Sequence, residues 1–126
     1  MKLIKVEKLL PIEGYGPKKA EKLGKKILKD GQWTRPVCVF KLQTKTIIMD
    51  GHHRVEAAKI LGLKRIPCEF YTYDEVELKS MRKQYNVTDI EIIQRALSGD
   101  LYPYKTVRRV FPGGYPECEV NLEELK

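Results

Sequence analysis

Apolar and polar positions change period several times along this chain, and each change marks an element. Leu3–Val6 alternates weakly and predicts a short first strand. Pro11–Pro17 reads as a loop containing Glu13, Gly14 and Gly16, with Pro17 well placed in the first turn of a helix. Ala20, Leu23, Gly24, Ile27 and Leu28 then follow the i, i+3, i+4 spacing of one helical face, and Gly31 is the stop signal. The apolar runs Val37–Phe40 and Thr46–Met49, with polar Gln43-Thr44 between them, predict a hairpin. Asp50-Gly51 breaks its second strand. Val55, Ala58 and Leu61 line a following helix that ends at Gly62, and Ile66–Tyr71 returns as a strand. A strand–turn–helix–strand unit with such short connections predicts a right-handed crossover.

Beyond it, Asp74–Tyr85 reads as a helix on Val76, Leu78 and Met81. Thr88 and Glu91 make a capping box for a helix running through Leu97, stopped by Gly99. Tyr102–Pro112 reads as a basic aromatic loop, and Cys118, Val120 and Leu122 alternate as a last strand. No repeat, low-complexity tract or linker interrupts the pattern. The expectation is one α/β (α+β) domain over residues 1–126, a small mixed sheet with flanking helices.

Composition narrows the class. A chain of 126 residues with 42% hydrophobic and 33% charged positions supports one modest core and excludes a disordered protein. No stretch approaches the roughly 18 apolar residues that span a bilayer, and no secretory apolar core opens the chain, so a soluble, cytoplasmic protein with no membrane partner is expected. Cys38, Cys68 and Cys118 are scattered in apolar or alternating runs and read as core or half-buried strand residues. His52 and His53 are adjacent, so on a helix they point about 100° apart and do not share an ion; no structural zinc is expected.

The net charge of +7 and pI near 9.3 call for an anionic partner, whether nucleotide, phosphate, nucleic acid or acidic surface. Much of that charge lies on the polar face of the first helix, at Lys18, Lys19, Lys22, Lys25, Lys26 and Lys29. Lysine richness with few Asn and Gln resembles a thermophile's composition, in which such a face is solvated and ion-paired.

One segment concentrates chemistry. A strand that ends at Asp50-Gly51 and enters a helix gathers free backbone N–H groups at one point, the positive end of the helix dipole. Gly51 lets a ligand approach the backbone, and Arg54 offers a planar donor fork to phosphate oxygens. Asp50 is placed to hold Mg²⁺ between phosphates. His52 and His53 can donate to phosphate or orient a reacting group. The plainer reading stays open: Asp50 as a helix cap only, and both histidines as satisfied packing residues.

Met49–Pro67 (MDGHHRVEAAKILGLKRIP) resembles the second conserved box of the ParB/sulfiredoxin superfamily, and DGHHR within it resembles the archaeal free-serine kinases. Leu10–Gly14 (LPIEG) with Trp33–Val37 is similar to that family's first box, and Gly99–Pro112 (GDLYPYKTVRRVFP) to its ending. The resemblance implies a ParB/sulfiredoxin-like domain that uses ADP or ATP with Mg²⁺ to phosphorylate the hydroxyl of free L-serine, with associated ADP or ATP hydrolysis; the departures described next leave a protein serine open as the acceptor. It implies catalytic roles for Glu13, Asp50 and His52, with Glu13 as base on the hydroxyl and Asp50 on the metal. It places nucleotide and phosphate contacts at Gly51, His52, His53 and Arg54, and has Lys105, Thr106, Arg108 and Arg109 close over the phosphates.

The chain also departs from that pattern. The serine kinases carry an insertion where this chain has only about Tyr71–Val87, and Val107 and Arg109 stand where the family's K-T-x-R-H ending has threonine and histidine. Sulfiredoxin chemistry needs a cysteine in the turn, which here is His52. A ParB-like DNA-binding or nuclease role is the alternative, resting on Gly51, Arg54 and Ala57, on Lys18–Lys29 as a phosphate-binding face, and on Trp33, Tyr102 and Tyr104 as stacking residues. A nucleotide sensor without catalysis is the third reading, and in it Glu13 is dispensable.

Overall fold

A computed structural model describes residues 1–126 as a curled five-stranded mixed sheet with three helices and two small strand pairs. The strands are β1 (Lys2–Lys5), β2 (Leu9–Leu10), β3 (Gln32–Trp33), β4 (Val37–Leu42), β5 (Lys45–Asp50), β6 (Arg65–Phe70), β7 (Glu77–Ser80), β8 (Val107–Val110) and β9 (Val120–Asn121). The helices are α1 (Pro17–Asp30), α2 (His52–Ile60) and α3 (Asp89–Ser98). The main sheet runs β1-β6-β4-β5-β2, while β3 pairs with β9 and β7 with β8.

The expected hairpin is present, as β4 and β5 pair antiparallel. Its apolar runs are continuous rather than alternating because both faces are covered. Val37, Val39 and Ile48 join the main core with Trp33, Val55, Ile66 and Leu125. On the opposite face Ile47 packs with Ile12, Ile92 and Tyr102, and Cys38 and Met49 pack with Val76 and Phe111. The register shifts between Cys38 and Val39, leaving one extra residue on β5 just before Asp50. Such bulges re-aim the chain where a strand must end in a site.

The unit β5–α2–β6 is not a crossover between neighbouring parallel strands. β4 lies between β5 and β6, antiparallel to the first and parallel to the second. The parallel crossover therefore joins β4 to β6, and it contains both β5 and α2. Its effect is to set the N-terminus of α2 at the centre of the sheet's end.

Helix ends follow local chemistry. Pro17 opens α1 after Gly16, and Gly31 closes it at φ 72°, a left-handed conformation that glycine adopts without strain. Thr88 caps α3 by accepting from the Glu91 N–H at 3.2 Å, while the Glu91 side chain turns forward to Arg95 instead of completing the box. α1 packs on α2 through its small residues; a Cβ on Gly24 would stand 3.9 Å from that of Ala57.

Three expectations fail in the C-terminal half. Asp74–Tyr85 is not helical: a turn at Thr72–Glu75 leads into β7, which pairs antiparallel with β8, a strand inside the expected loop Tyr102–Pro112. Val76 and Leu78 are two apart, a strand period, and the partner that makes it a strand lies about thirty residues away. The last strand shrinks to Val120–Asn121, and Leu122–Leu125 forms a 3₁₀ turn that buries Leu122 and Leu125. At the start, β1 is Lys2–Lys5 and Val6 already belongs to a 3₁₀ turn. Cys38 and Cys68 are buried strand residues as expected, whereas Cys118 is half-buried outside any strand.

Because the Gly24 Cβ position meets only ordinary contacts, Gly24→Ala is expected to raise stability by roughly 0.5–1 kcal/mol through helix propensity. Chemical denaturation measures this; a loss of stability would mean that α1 and α2 cannot accept even a methyl group between them.

Candidate active site

The end of β5 and the start of α2 meet at Gly51, whose φ of 107° lies in the left-handed region. A Cβ there would come within 3.3 Å of the Val37 side chain, so a side chain would press on Val37 as well as strain the backbone. No side chain caps α2. Asp50 is therefore not its cap, and the N–H groups of its first turn remain free donors at the positive end of the dipole. They face a cavity of about 460 Å³ walled by Glu13 and Gly14, by Lys19, Arg35 and Arg54, and by Tyr104, Lys105, Arg109 and Tyr115.

Both histidines are hooks. The Ile12 N–H donates to His52 Nε2 at 3.1 Å, and the Gly16 N–H donates to His53 Nε2 at 3.0 Å. The loop before α1 is thus hung on the first two residues of α2. An Nε2 that accepts carries no proton, so each ring holds its proton on Nδ1. Burial pushes His52 well below its usual 6.5, with Arg109 and His53 adding to the shift. Burial and Lys19 lower His53, against the pull of Glu13 and Asp50. The packing reading of the two histidines is correct in this respect, although both also line the cavity.

Glu13 is buried, and three donors hold its carboxylate. Oε2 accepts from the Thr106 N–H at 2.7 Å and the Val107 N–H at 3.0 Å, and Oε1 pairs with Arg109 Nη2 at 3.1 Å. Backbone bonds continue the grip: Gly14 donates to the Tyr102 carbonyl and Tyr102 to that of Ile12, each at 2.8 Å. The turn that presents the Thr106 and Val107 N–H groups holds Lys105 at φ 63°, unusual for a residue with a side chain. Thr106 Oγ1 closes it by donating to the Pro103 carbonyl at 2.6 Å.

The expected site residues therefore separate. Gly51, His52, His53, Arg54, Asp50, Glu13, Lys105 and Arg109 meet around one cavity. Thr106 does not reach it: the residue is fully buried and its hydroxyl is spent on its own turn. Arg108 is exposed and lines a second cavity of about 550 Å³, which shares Asp50, Lys105 and Arg109 with the first. Trp33 and Tyr102 are core residues at 0% and 1% exposure and cannot stack on a ligand. Arg54 lies over the Trp33 ring, 6.0 Å from its centroid.

Sequence reasoning missed the cavity roles of Arg35, Lys19 and Tyr115. Lys19 was submerged in a lysine-rich face, Arg35 stands at an unspecified position within Trp33–Val37, and Tyr115 lies in a loop with no motif. Tyr104 sits half-buried with Lys19 and Lys105 at 5.9 and 5.3 Å from its ring centroid and the His53 ring at 5.0 Å. Asp50 is half-buried, and its carboxylate accepts no hydrogen bond and forms no ion pair. The site as a whole pairs two carboxylates with an excess of fixed cations and free helix N–H groups, an arrangement suited to a polyphosphate.

The depressed histidines set a pH response. Above about 6.5 they are neutral in folded and unfolded chains alike; below it the unfolded chain takes up protons that the folded one refuses, so stability falls as pH drops from 6.5 toward the lowered folded values. The thermal midpoint should decline from pH 7 to pH 5, and less so in a His52→Gln/His53→Gln double variant. Equal pH slopes for the two proteins in calorimetry would remove the hooks from the account.

Comparison with known proteins agrees with this construction. Residues 1–87 match the family model described as ParB N-terminal domain. An ATP-dependent L-serine kinase of Staphylothermus marinus is 38% identical over 82 residues, and one of Desulfurococcus mucosus 35% identical over 82. Each alignment takes in 62% of this chain and 32% of the relative, so the chain spans about a third of the length of the curated relatives it matches. Among solved structures, a free serine kinase in complex with AMP superposes with a TM-score of 0.90 at 17% identity, covering 99% of this chain and 93% of that one. A conserved hypothetical protein from Pyrococcus furiosus gives 0.89 at 15% identity, covering 99% and 97%. These two likenesses establish the fold. No helix is long and apolar enough to cross a membrane.

Proposed function

The chain belongs to the ParB N-terminal domain family, and we propose that it is a nucleotide-dependent kinase phosphorylating a serine hydroxyl, on free L-serine or on a protein serine in the cytosol. The observation that carries the reading is the uncapped N-terminus of α2, opening through Gly51 into a cavity ringed by Lys19, Arg35, Arg54, Lys105 and Arg109. Support also comes from the two relatives that are ATP-dependent L-serine kinases, and from the kinase of the same fold solved with AMP.

In this reading the terminal phosphates of ATP or ADP take hydrogen bonds from the first-turn N–H groups of α2 and from Arg54, while Lys105 and Arg109 neutralise them from the opposite wall. The acceptor enters from the second cavity, and its hydroxyl reaches across the shared Asp50, Lys105 and Arg109 into the first, which Glu13 lines. The serine Oγ attacks the terminal phosphorus, the P–O bond to the leaving nucleotide breaks, and the hydroxyl proton passes to Glu13. Glu13 Oε2 is committed to two backbone donors, so Oε1, which has only Arg109 as partner, is the receiving atom. Fixed cations supply most of the acceleration, as positioning and charge neutralisation do in phosphoryl transfer generally.

The donor set also fits Mg²⁺. One free carboxylate, that of Asp50, beside a phosphate site is how this ion binds when phosphates and water complete its shell. Bound there, it would neutralise charge on the phosphates. Glu13 is too fully engaged to be a second ligand. His52 serves as a positioning residue, holding Ile12 and with it the loop that carries Glu13.

Two measurements test the proposal. Incubation with Mg²⁺, ATP or ADP, and L-serine should yield O-phosphoserine by chromatography. Glu13→Gln should keep nucleotide affinity within about threefold yet lose on the order of 10²–10⁴ in turnover; full turnover in that variant would discard the base. Arg54→Ala should weaken nucleotide binding about 10- to 100-fold, the loss of a charge-assisted bond, and unchanged affinity in titration calorimetry would move the phosphate site away from this turn.

A further inference from the structure

We infer that the preferred acceptor is a serine carried in an acidic stretch of polypeptide, held on the outer face of the β7–β8 ribbon. Within the kinase reading, on which this rests, the two acceptors differ in charge. Free serine brings an ammonium and a carboxylate along with its hydroxyl. The second cavity can meet the carboxylate only. Its side chains are Asp50, Met81, Lys105, Val107, Arg108 and Arg109, three cations against one carboxylate. Asp50 is the metal ligand, and Glu13 in the adjoining cavity is already held by three donors. An ammonium brought in would face Lys105 and Arg109 with no lining side chain left to accept its protons. A serine within a chain avoids this conflict, because its nitrogen is a neutral amide.

The cavity continues onto a strip suited to a chain. Antiparallel pairing sets Lys79 directly opposite Arg108 and Glu77 opposite Val110, and directly opposed residues share a face. Leu78, opposite Arg109, turns inward and packs against the core. Met81 lies just past β7, its N–H donating to the Thr106 carbonyl at 2.7 Å. The outward face therefore carries the Lys79–Arg108 pair between two apolar side chains, Val110 at 41% and Met81 at 59% exposure.

This face lacks its counter-charge. Like charges directly opposite one another destabilise a ribbon unless an anion lies between them. Lys79 has only Glu77, at 3.4 Å with both side chains more than half exposed, a pair of little strength. Arg108 and Lys105 form no ion pair at all. The lysines of α1 are also without the ion pairs expected of them, but none of them lines this cavity. Aspartate and glutamate side chains suit the Arg108 fork, and Met81 is a soft, adaptable surface for whatever lies beside them. With acidic neighbours on Arg108 and Lys79, the serine comes to the shared Asp50, Lys105 and Arg109. Its Oγ bonds phosphorus, the bond to the leaving nucleotide breaks, and the proton goes to Glu13.

Three acceptors test this, each with Mg²⁺ and ATP or ADP: a peptide with one serine among aspartates, the same peptide with lysines in their place, and L-serine. The acidic peptide should exceed both others in kcat/KM by about tenfold, chiefly through KM, and its lead should shrink as salt rises from about 50 to 300 mM. Lys79→Glu with Arg108→Glu should reverse the order of the two peptides, a gain for the lysine peptide that a misfolded variant could not show. Equal kcat/KM for the two peptides, L-serine matching the acidic one, or a preference unmoved in the double variant overturns the inference and leaves the kinase reading standing. Phosphoserine from none of the three overturns the kinase reading, and this acceptor with it.

Discussion

The buried carboxylate of Glu13 holds the site together. Its three donors come from Thr106, Val107 and Arg109, more than ninety positions along the chain. A charge taken out of water is costly unless every lone pair that matters is met, and removing one partner of such a pair typically costs about 3–5 kcal/mol. The price is met here by two backbone donors that follow a turn with a left-handed Lys105 and by the Arg109 side chain from β8. The backbone bridge between Glu13 and Tyr102 and the shared core of Ile12 and Tyr102 bring the loop before α1 and the segment before β8 together, and the clasp fixes the turn at Thr106 over the N-terminus of α2.

The histidines complete the same frame from the other side. His52 and His53 leave α2 about 100° apart, which lets one reach the backbone of Ile12 and the other that of Gly16. Each replaces a hydrogen bond that a loop N–H would otherwise seek from water. The division of labour is physical: the rings face backbone donors and stay neutral, while the helix's own first-turn N–H groups are left uncapped for an anion. A serine or aspartate at the cap would satisfy those donors and close the site chemically. Gly51 keeps them open.

Charge follows the same logic at longer range. Outside α1 and the two cavities the surface is balanced, so the field of the molecule is directed rather than diffuse. Such a field concentrates anions where the free N–H groups and the Asp50 carboxylate wait, and it extends along α1 away from the pocket.

Local physics made much of this legible in the sequence. The Pro17 and Gly31 bounds of α1, the Thr88 cap of α3, the β4–β5 hairpin and the Asp50–Arg54 turn rest on neighbours within a few residues, and they stand where the pattern put them. The DGHHR turn between LPIEG and YKTVRR also carried the family and the ring of site residues. What tertiary structure alone decided depends on partners far away in sequence. β7 is a strand because β8 pairs with it; Trp33 and Tyr102 are core because residues distant in sequence close on each; Thr106 faces inward because its hydroxyl closes a turn that Glu13 requires. A side chain's type states which bonds it can make. Only the fold states which of them are already taken, and that difference separates a ligand contact from a clasp.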